Sequence, residues 1–292
     1  MTLLLQGLIN GLSVGMIYGL LALSYSMIYG TLNVAHYAQG NFFMVAMLIV
    51  YTFFISMSSP LWIAIIATVV LIVLILAIIE RFVYRPMLSG NGVLLFMCTI
   101  GMSIFVQSLA QVIFGNESFS FPSIFGSQPV RLGSTGLSVV PQNLAIMGLA
   151  IVIMVTLALF LKKTRMGMAI RAVSMNRRAA SLMGVKFGRV SAFTYGISGV
   201  IVALASVFTA PVFQVNVNVG SIGLKALIAA LLGGFGNMYG ALLGGFILGE
   251  VETIGSLYIS SAYKDLFSFG ILIIVLLFCP QGLLGRRKIT KV

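Results

Sequence analysis

From Met1 to Ile79 the chain carries no Asp, Glu, Lys or Arg, and the stretches 86–116, 132–161, 190–224, 226–249 and 266–285 are equally free of them. About 20 apolar residues cross a bilayer core, so these runs are long enough for membrane spans. Gly, Asn and Pro clusters divide them into nine predicted crossings. They lie at 5–29, 41–57, 61–80, 92–114, 142–161, 191–212, 220–233, 238–257 and 265–280, the seventh being short. A helix apolar all round has little periodic signal, so length and punctuation define these elements. The fold expected is an all-α polytopic integral membrane protein, 1–292 forming one transmembrane domain. It would have eight or nine transmembrane helices, one of them broken or short.

Composition agrees. Only 8% of residues are charged and the mean hydropathy is +1.14, against roughly a quarter charged in a soluble domain. The net charge of +12 would suit nucleic acid, but the cations sit between apolar runs, not on a polar face, which excludes that partner. They fit the positive-inside rule better. Arg81 and Arg85 follow the third predicted crossing, eight cations fall between Leu161 and Val190, and the tail "GRRKITKV" holds four more. Between Gly115 and Gly136 there is one acid, Glu117, and one cation, Arg131; the turn before the last run has Lys264 and Asp265. Segment 162–190 is therefore assigned to the cytoplasm, 115–141 to the outside, and the C-terminus to the cytoplasm. An odd number of crossings then puts the N-terminus outside. The opening "MTLLLQGLINGLSVGMIYG" lacks a basic n-region and reads as a retained first span. Cys98 and Cys279 lie in apolar runs and read as packing residues.

Small and polar residues mark how the spans pack. Gly7, Gly11, Gly15 and Gly19 recur every four residues, as do Gly236, Gly240 and Gly244, with Gly245 and Gly249 beside them. Such lines form grooves for close helix approach, within the chain or between subunits. Thr99, Ser103, Gln107 and Gln111 form a polar line on one face of the fourth span. It fits two roles, hydrogen bonding between helices or lining a solute path. Lys225 is expected to pair with Glu250 or Glu252 as a buried ion pair. The polar, glycine-bounded "GTLNVAHYAQGNF", Gly30 to Phe42, interrupts the apolar pattern, and Asn33, His36, Gln39 and Asn41 are its candidate path residues. Asn33, Val34, Gly40 and Ala46 recur 183 residues later as Asn216, Val217, Gly223 and Ala229, a faint sign of an inverted repeat.

The basic segment has its own order. "GMAIRAV" favours helix, Asn176 is a good N-cap, "RRAASLM" gives about two turns, and Gly184 is a C′ stop. Ala179, Leu182 and Met183 share a face opposite Arg177 and Ser181. A capped helix with an apolar edge on the cytoplasmic side suggests a docking surface.

Five stretches in order then carry a family resemblance: "ERFVYRPM", "TIGMSIFVQSLAQVIFG", "TRMGMAIRAVSMNRRAASLMGV", "GLKALIAALLGGFGNMYGALLGG" and "YKDLFSFGILIIVLLFCPQGLLG". Together they resemble the permeases of ATP-binding-cassette importers for branched-chain amino acids, in the subunit that pairs with a second permease. The resemblance implies a multi-pass protein of the bacterial inner membrane, working with a second permease as heterodimer, two ATPase subunits and a periplasmic or extracellular solute-binding protein. It makes Asn176 to Gly184 the coupling helix, with Arg171, Asn176, Arg177, Arg178, Ala179, Ala180, Leu182, Met183 and Gly184 as ATPase-docking residues. Where such permeases read N-F-A-H-G-[DE], this chain has "HYAQGN", with His36, Gln39 and Asn41 in place of the family's asparagine, histidine and acid. The cargo expected is therefore a branched-chain amino acid or a related small polar solute.

The chain has no G-x-x-x-x-G-K-[ST], so ATP would be hydrolysed on other subunits. With one histidine, five acids and no metal-ligand cluster in the sequence, no catalytic residue, metal or cofactor is expected. The alternative is an ion-coupled secondary transporter working through Lys225, Glu250, Glu252 or His36.

Overall fold

The computed structural model describes residues 2–87, 92–126, 128–132 and 137–285. Among these, eight helices are long and apolar enough to span: Leu4–Leu32, Gln39–Ser56, Leu61–Met87, Gly92–Phe114, Pro141–Lys163, Phe187–Thr209, Met238–Tyr258 and Ser261–Phe278. The shorter apolar segment Val219–Gly233, which answers to the predicted short crossing, lies between the sixth and seventh of these. In chain order the helices are α1 (Thr2–Leu32), α2 (Gln39–Tyr51), α3 (Leu61–Ile79), α4 (Arg85–Met87), α5 (Gly92–Phe114), α6 (Pro141–Lys163), α7 (Arg165–Met175), α8 (Arg177–Leu182), α9 (Phe187–Thr209), α10 (Ile222–Gly233), α11 (Met238–Tyr258) and α12 (Lys264–Phe278).

The third and sixth spans reach past the edges of the charge-free runs, the third beyond Ile79 and the sixth before Val190. A wide π-type turn, Glu80–Tyr84, carries the third on through the first charges into α4. Residues five apart meet on such a turn. Arg85 thereby reaches back to Glu80 with two bonds, Nε to Oε1 at 3.2 Å and Nη2 to Oε2 at 3.0 Å. Glu80 is fully buried, so its charge is neutralised where it lies and needs no chain break. The sixth span starts at Phe187, inside the segment read as basic loop.

Irregular extended structure lies in 115–141. Val130–Leu132 (β1) and Leu137–Val139 (β2) pair antiparallel. Gln6 completes the edge as a strand would: its Nε2 donates to the Ser138 carbonyl at 2.7 Å, and its Oε1 accepts from the Ser138 N–H at 3.0 Å. The start of α1 is thereby tied to the 115–141 end of the molecule. Gly30 near the other end of α1 packs on Gly236, and Leu283 and Leu284 donate to the carbonyls of Leu232 and Gly233 at the end of α10. The described chain thus finishes at the cation-rich end; the tail from 286 on lies outside the described residues.

The glycine lines are used within the chain. Gly7, Gly11, Gly15 and Gly19 face Leu257, Glu250, Gly245 and Leu242 of α11. A methyl group on Gly15 would sit 2.8 Å from the Gly245 carbonyl oxygen, closer than atoms tolerate. The other face of α11 meets α10, Gly240 on Gly233 and Gly244 on Ala229. Dispersion between backbones at this range replaces the hydrophobic drive that lipid cannot supply.

Packing also repeats between halves. α1 lies on α11 as α9 lies on α3; α1 lies on α10 as α9 lies on α2; α2 meets α3 and α5 as α10 meets α11 and α12. α1 starts at the hairpin end and α9 at the cation-rich end, so the two sets run in opposite directions, as in inverted-repeat transporters.

Candidate functional site

Two interrupted helices meet inside the bundle. The first interruption follows α1, which ends with Asn33 in the left-handed region (φ 57) and its N–H bonded to the Tyr29 carbonyl at 2.7 Å. That is the usual place for an asparagine at a helix stop; Asn33 is exposed. The chain then runs irregularly to Gln39, and its polar groups are taken up by α5 and α9. Tyr37 N–H donates to Thr99 Oγ1 (3.1 Å), Asn41 Nδ2 donates to the carbonyl (2.6 Å) and Oγ (2.8 Å) of Ser103, and Gln39 Nε2 donates to Ser198 Oγ (2.6 Å). Gly40 N–H donates to the Tyr25 hydroxyl at 3.1 Å.

The second interruption lies between α9 and α10. Val215 exchanges both backbone bonds with Phe119, at 2.8 and 2.9 Å, at the hairpin end. Val217 O accepts from Gln107 Nε2 at 3.5 Å. One tight turn, Val219–Ser221, then opens α10. Gly40 at the start of α2 touches Gly223 at the start of α10, and Asn41 Oδ1 lies against Gly220. These two glycines are one of the pairs related by the 183-residue echo. The polar line of α5 therefore serves both breaks, Thr99 and Ser103 the first and Gln107 the second, while Gln111 is exposed.

His36 is buried beside the first break. Its ring meets Tyr84 (5.0 Å) and Tyr195 (5.3 Å) edge-on and stacks on Phe42 (6.0 Å). Both ring nitrogens, Gln39 Oε1, Tyr84 Oη and Ser191 Oγ lack an internal hydrogen-bond partner among the described residues. His36, Gln39, Asn41, Thr99 and Ser103 thus share one buried zone, while Asn33 lies away from it.

Lys225, Glu252 and Asp265 form one network. Lys225 Nζ bonds Glu252 Oε1 at 2.8 Å and Asp265 Oδ1 at 3.0 Å. Glu252 Oε2 accepts from the Tyr18 hydroxyl (3.0 Å) and Ser268 Oγ (3.2 Å). Of the two glutamates considered for Lys225, Glu252 is the partner. Glu250 instead packs against Gly11, its Oε2 unbonded. Asp265 was not foreseen as a partner, because it sits in the first turn of α12, 40 residues from Lys225, and nothing local links them.

At the cation-rich end α6 leads into a strut. Thr164 caps α7 by accepting from Gly167 N–H at 2.9 Å. Asn176 caps α8 through Oδ1 and Ala179 N–H at 3.0 Å. Gly184 (φ 83) stops it, with Val185 N–H to Ala180 O and Gly184 N–H to Ser181 O, a Schellman arrangement. Ala180 is the side chain turned inward; Leu182 and Met183 are 90% and 85% exposed, and Ala179 is exposed too. The Arg177 guanidinium lies 3.5 Å from the Phe187 ring centre, and Arg171 and Arg178 are exposed. Arg85, which holds Glu80, also donates to the Gly188 carbonyl at 2.7 Å, bracing the start of α9.

Comparison with known proteins gives a consistent result. Residues 7–276 match the family described as branched-chain amino acid transport system / permease component. The Escherichia coli high-affinity branched-chain amino acid transport system permease protein LivH is 35% identical over 300 residues, 99% of this chain and 97% of that one. The corresponding BraD of Pseudomonas aeruginosa is 34% identical, over 99% of this chain and 98% of its own. Among solved structures, PsaBC from Streptococcus pneumoniae in complex with Fab shares the fold at a TM-score of 0.50 with 15% identity, covering 96% of this chain and 93% of that one.

Proposed function

Because the chain belongs to the family of branched-chain amino acid transport permease components, we propose that it imports a branched-chain amino acid or a related small polar solute. It acts as one membrane subunit of an ATP-driven complex. The observation that supports this reading most is the α7–α8 strut. Its helix is capped at one end by Asn176 and stopped at the other by Gly184, and it holds Leu182 and Met183 out from the protein among arginines. An apolar tip of that kind loses free energy to water unless a partner covers it. A groove on a separate ATPase is the partner that fits, two such subunits serving this chain and a sister permease.

The base of the strut explains how force would enter. Arg177 on Phe187 and Arg85 on Gly188 both hold the first turn of α9, and α9 packs along α2 and α3. Movement of α8 as a rigid lever would tilt α9 and shift the meeting point of the two breaks. At the opposite end, 115–141 would receive the solute-binding protein. The strut and the C-terminal tail are assigned to the cytoplasm, in the bacterial inner membrane. A gradient-driven carrier gains no support from the ion network, since both oxygens of Glu252 are bonded.

The test replaces Asn176 to Gly184 with a flexible Gly/Ser linker. Membrane insertion is expected to persist while ATPase association and uptake are lost. Normal ATP-driven uptake by that variant would refute the docking role.

A further inference from the structure

The link from α9 to α10 descends into the membrane as irregular chain, extended around Val215 and turning from Val217 into the tight turn Val219–Ser221, and its side chains alternate between buried and outward. Val215, Val217 and Val219 are 0%, 1% and 6% exposed. Between and beyond them Gln214, Asn218 and Ser221 are exposed and Asn216 is partly so. The valines thus lie on protein while the polar side chains face outward, Asn216 folding its amide onto the chain by accepting from the Asn218 N–H at 2.9 Å and donating to the Gln214 carbonyl at 3.2 Å.

α5 measures how deep that segment goes. Gln107, which holds Val217, is seven residues before Phe114, and Ser103, which holds Asn41 against Gly220, is eleven before it. At about 1.5 Å per residue they lie about 10 Å and about 16 Å below the hairpin end of α5. Gly220 is therefore near the middle of a hydrocarbon core about 30 Å thick. Hydrocarbon offers no partner to amide side chains or to non-helical backbone. Such structure persists only against protein or beside a water-filled cavity. The valine edge is the one against protein.

We infer that the polar edge Gln214, Asn216, Asn218 and Ser221 is one wall of the aqueous solute route. The route runs down the flank of this subunit, between Gln107 of α5 and Lys225 of α10, and not through the bundle's interior. This rests on the transport reading above and deepens it, the opposite wall coming from the second permease. The wall offers amides and a hydroxyl, donors and acceptors without charge, and the Lys225 cation beside it is matched by Glu252 and Asp265. It suits a neutral or zwitterionic polar solute, which it can hydrate in passing without the tight grip of a bare ion.

The test uses the whole complex in membrane vesicles, with Cys98→Ser and Cys279→Ser to remove the native thiols. Single changes Gln214→Cys, Asn216→Cys, Asn218→Cys and Ser221→Cys are then compared with Val215→Cys, Val217→Cys and Val219→Cys, using a charged, membrane-impermeant methanethiosulfonate. The polar-edge thiols are expected to react and the valine-edge thiols to stay unmodified, with modification of the Asn218→Cys variant blocking uptake. Silence of the polar-edge thiols, or equal reaction on both edges, overturns the inference. If a valine-edge variant does not assemble, the four polar-edge thiols decide alone. The reagent reports water and not cargo, so failure of the transport reading would show separately, as absent ATP-driven uptake by the unmodified complex.

Discussion

Gly40 and Gly223 touch backbone to backbone where the two interrupted helices begin, so α2 and α10 hold each other's first turns within the membrane. The free N–H groups of a helix start need acceptors; Gly40 finds the Tyr25 hydroxyl, and Asn41 Oδ1 sits against Gly220. Any side chain at either glycine would meet backbone that has no room to give.

Gly223→Val is therefore expected to destabilise the protein by about 1–3 kcal/mol or more. Gly196→Ala, in α9 with nothing within 4 Å of the added carbon, should be neutral or stabilising by up to about 1 kcal/mol. Thermal unfolding of the purified complex in detergent checks both. Equal melting temperatures for the two variants would remove the close contact from the account.

Glu252→Leu leaves Lys225 with only the exposed Asp265, strips Tyr18 of its acceptor and leaves Ser268 with the Lys264 carbonyl alone. Removing one partner of a buried pair costs about 3–5 kcal/mol, so a large fall in melting temperature is expected. Glu250→Gln should change it little. The double variant Lys225→Met with Glu252→Met should cost less than the sum of the singles, which a double-mutant cycle measures.

Arg85→Ala removes the only ion-pair partner recorded for Glu80 among the described residues, and frees the Gly188 carbonyl at the strut base. Two effects are expected: lower stability, on the scale of an orphaned buried charge, about 3–5 kcal/mol, and ATP hydrolysis that continues with reduced uptake. Arg85→Lys should restore stability in part, since a single ammonium nitrogen lacks the planar fork that bonds both Glu80 oxygens while reaching Gly188. Measuring uptake per ATP hydrolysed separates the mechanical effect from simple loss of protein.

Much of this architecture was legible because lipid simplifies the code. Spans are long and apolar, so the order of the eight long ones and the shortness of the segment at 220–233 followed from length and punctuation. Asn176 and Gly184 were legible for a different reason, since caps and stops are local chemistry. Glu80 was hidden because a charge reads as the end of a span, and only a wide turn shows that Arg85 reaches back to bury it. Asp265 and the Gln6–Ser138 contact were hidden because they depend on chain separated by many residues. The alternation at 214–221 was in plain sight in "QVNVNVGS", yet a two-residue rhythm between helices carries no meaning until one knows the segment descends into the bilayer. The polar line on α5 was found, but whether it lined a path or bonded neighbours depended on what lay opposite each residue.

The interlocked glycines of α1 and α11 constrain motion as well as packing. With Gly15, Gly245 and Gly249 in mutual backbone contact, sliding one of these helices along the other by a single residue would drive side chains into main chain. The two must travel as one plank. α10 belongs to the same plank, since its Gly233 and Ala229 meet Gly240 and Gly244 of α11 just as closely, so rearrangement during transport would fall to the side built from α2, α3, α5 and α9.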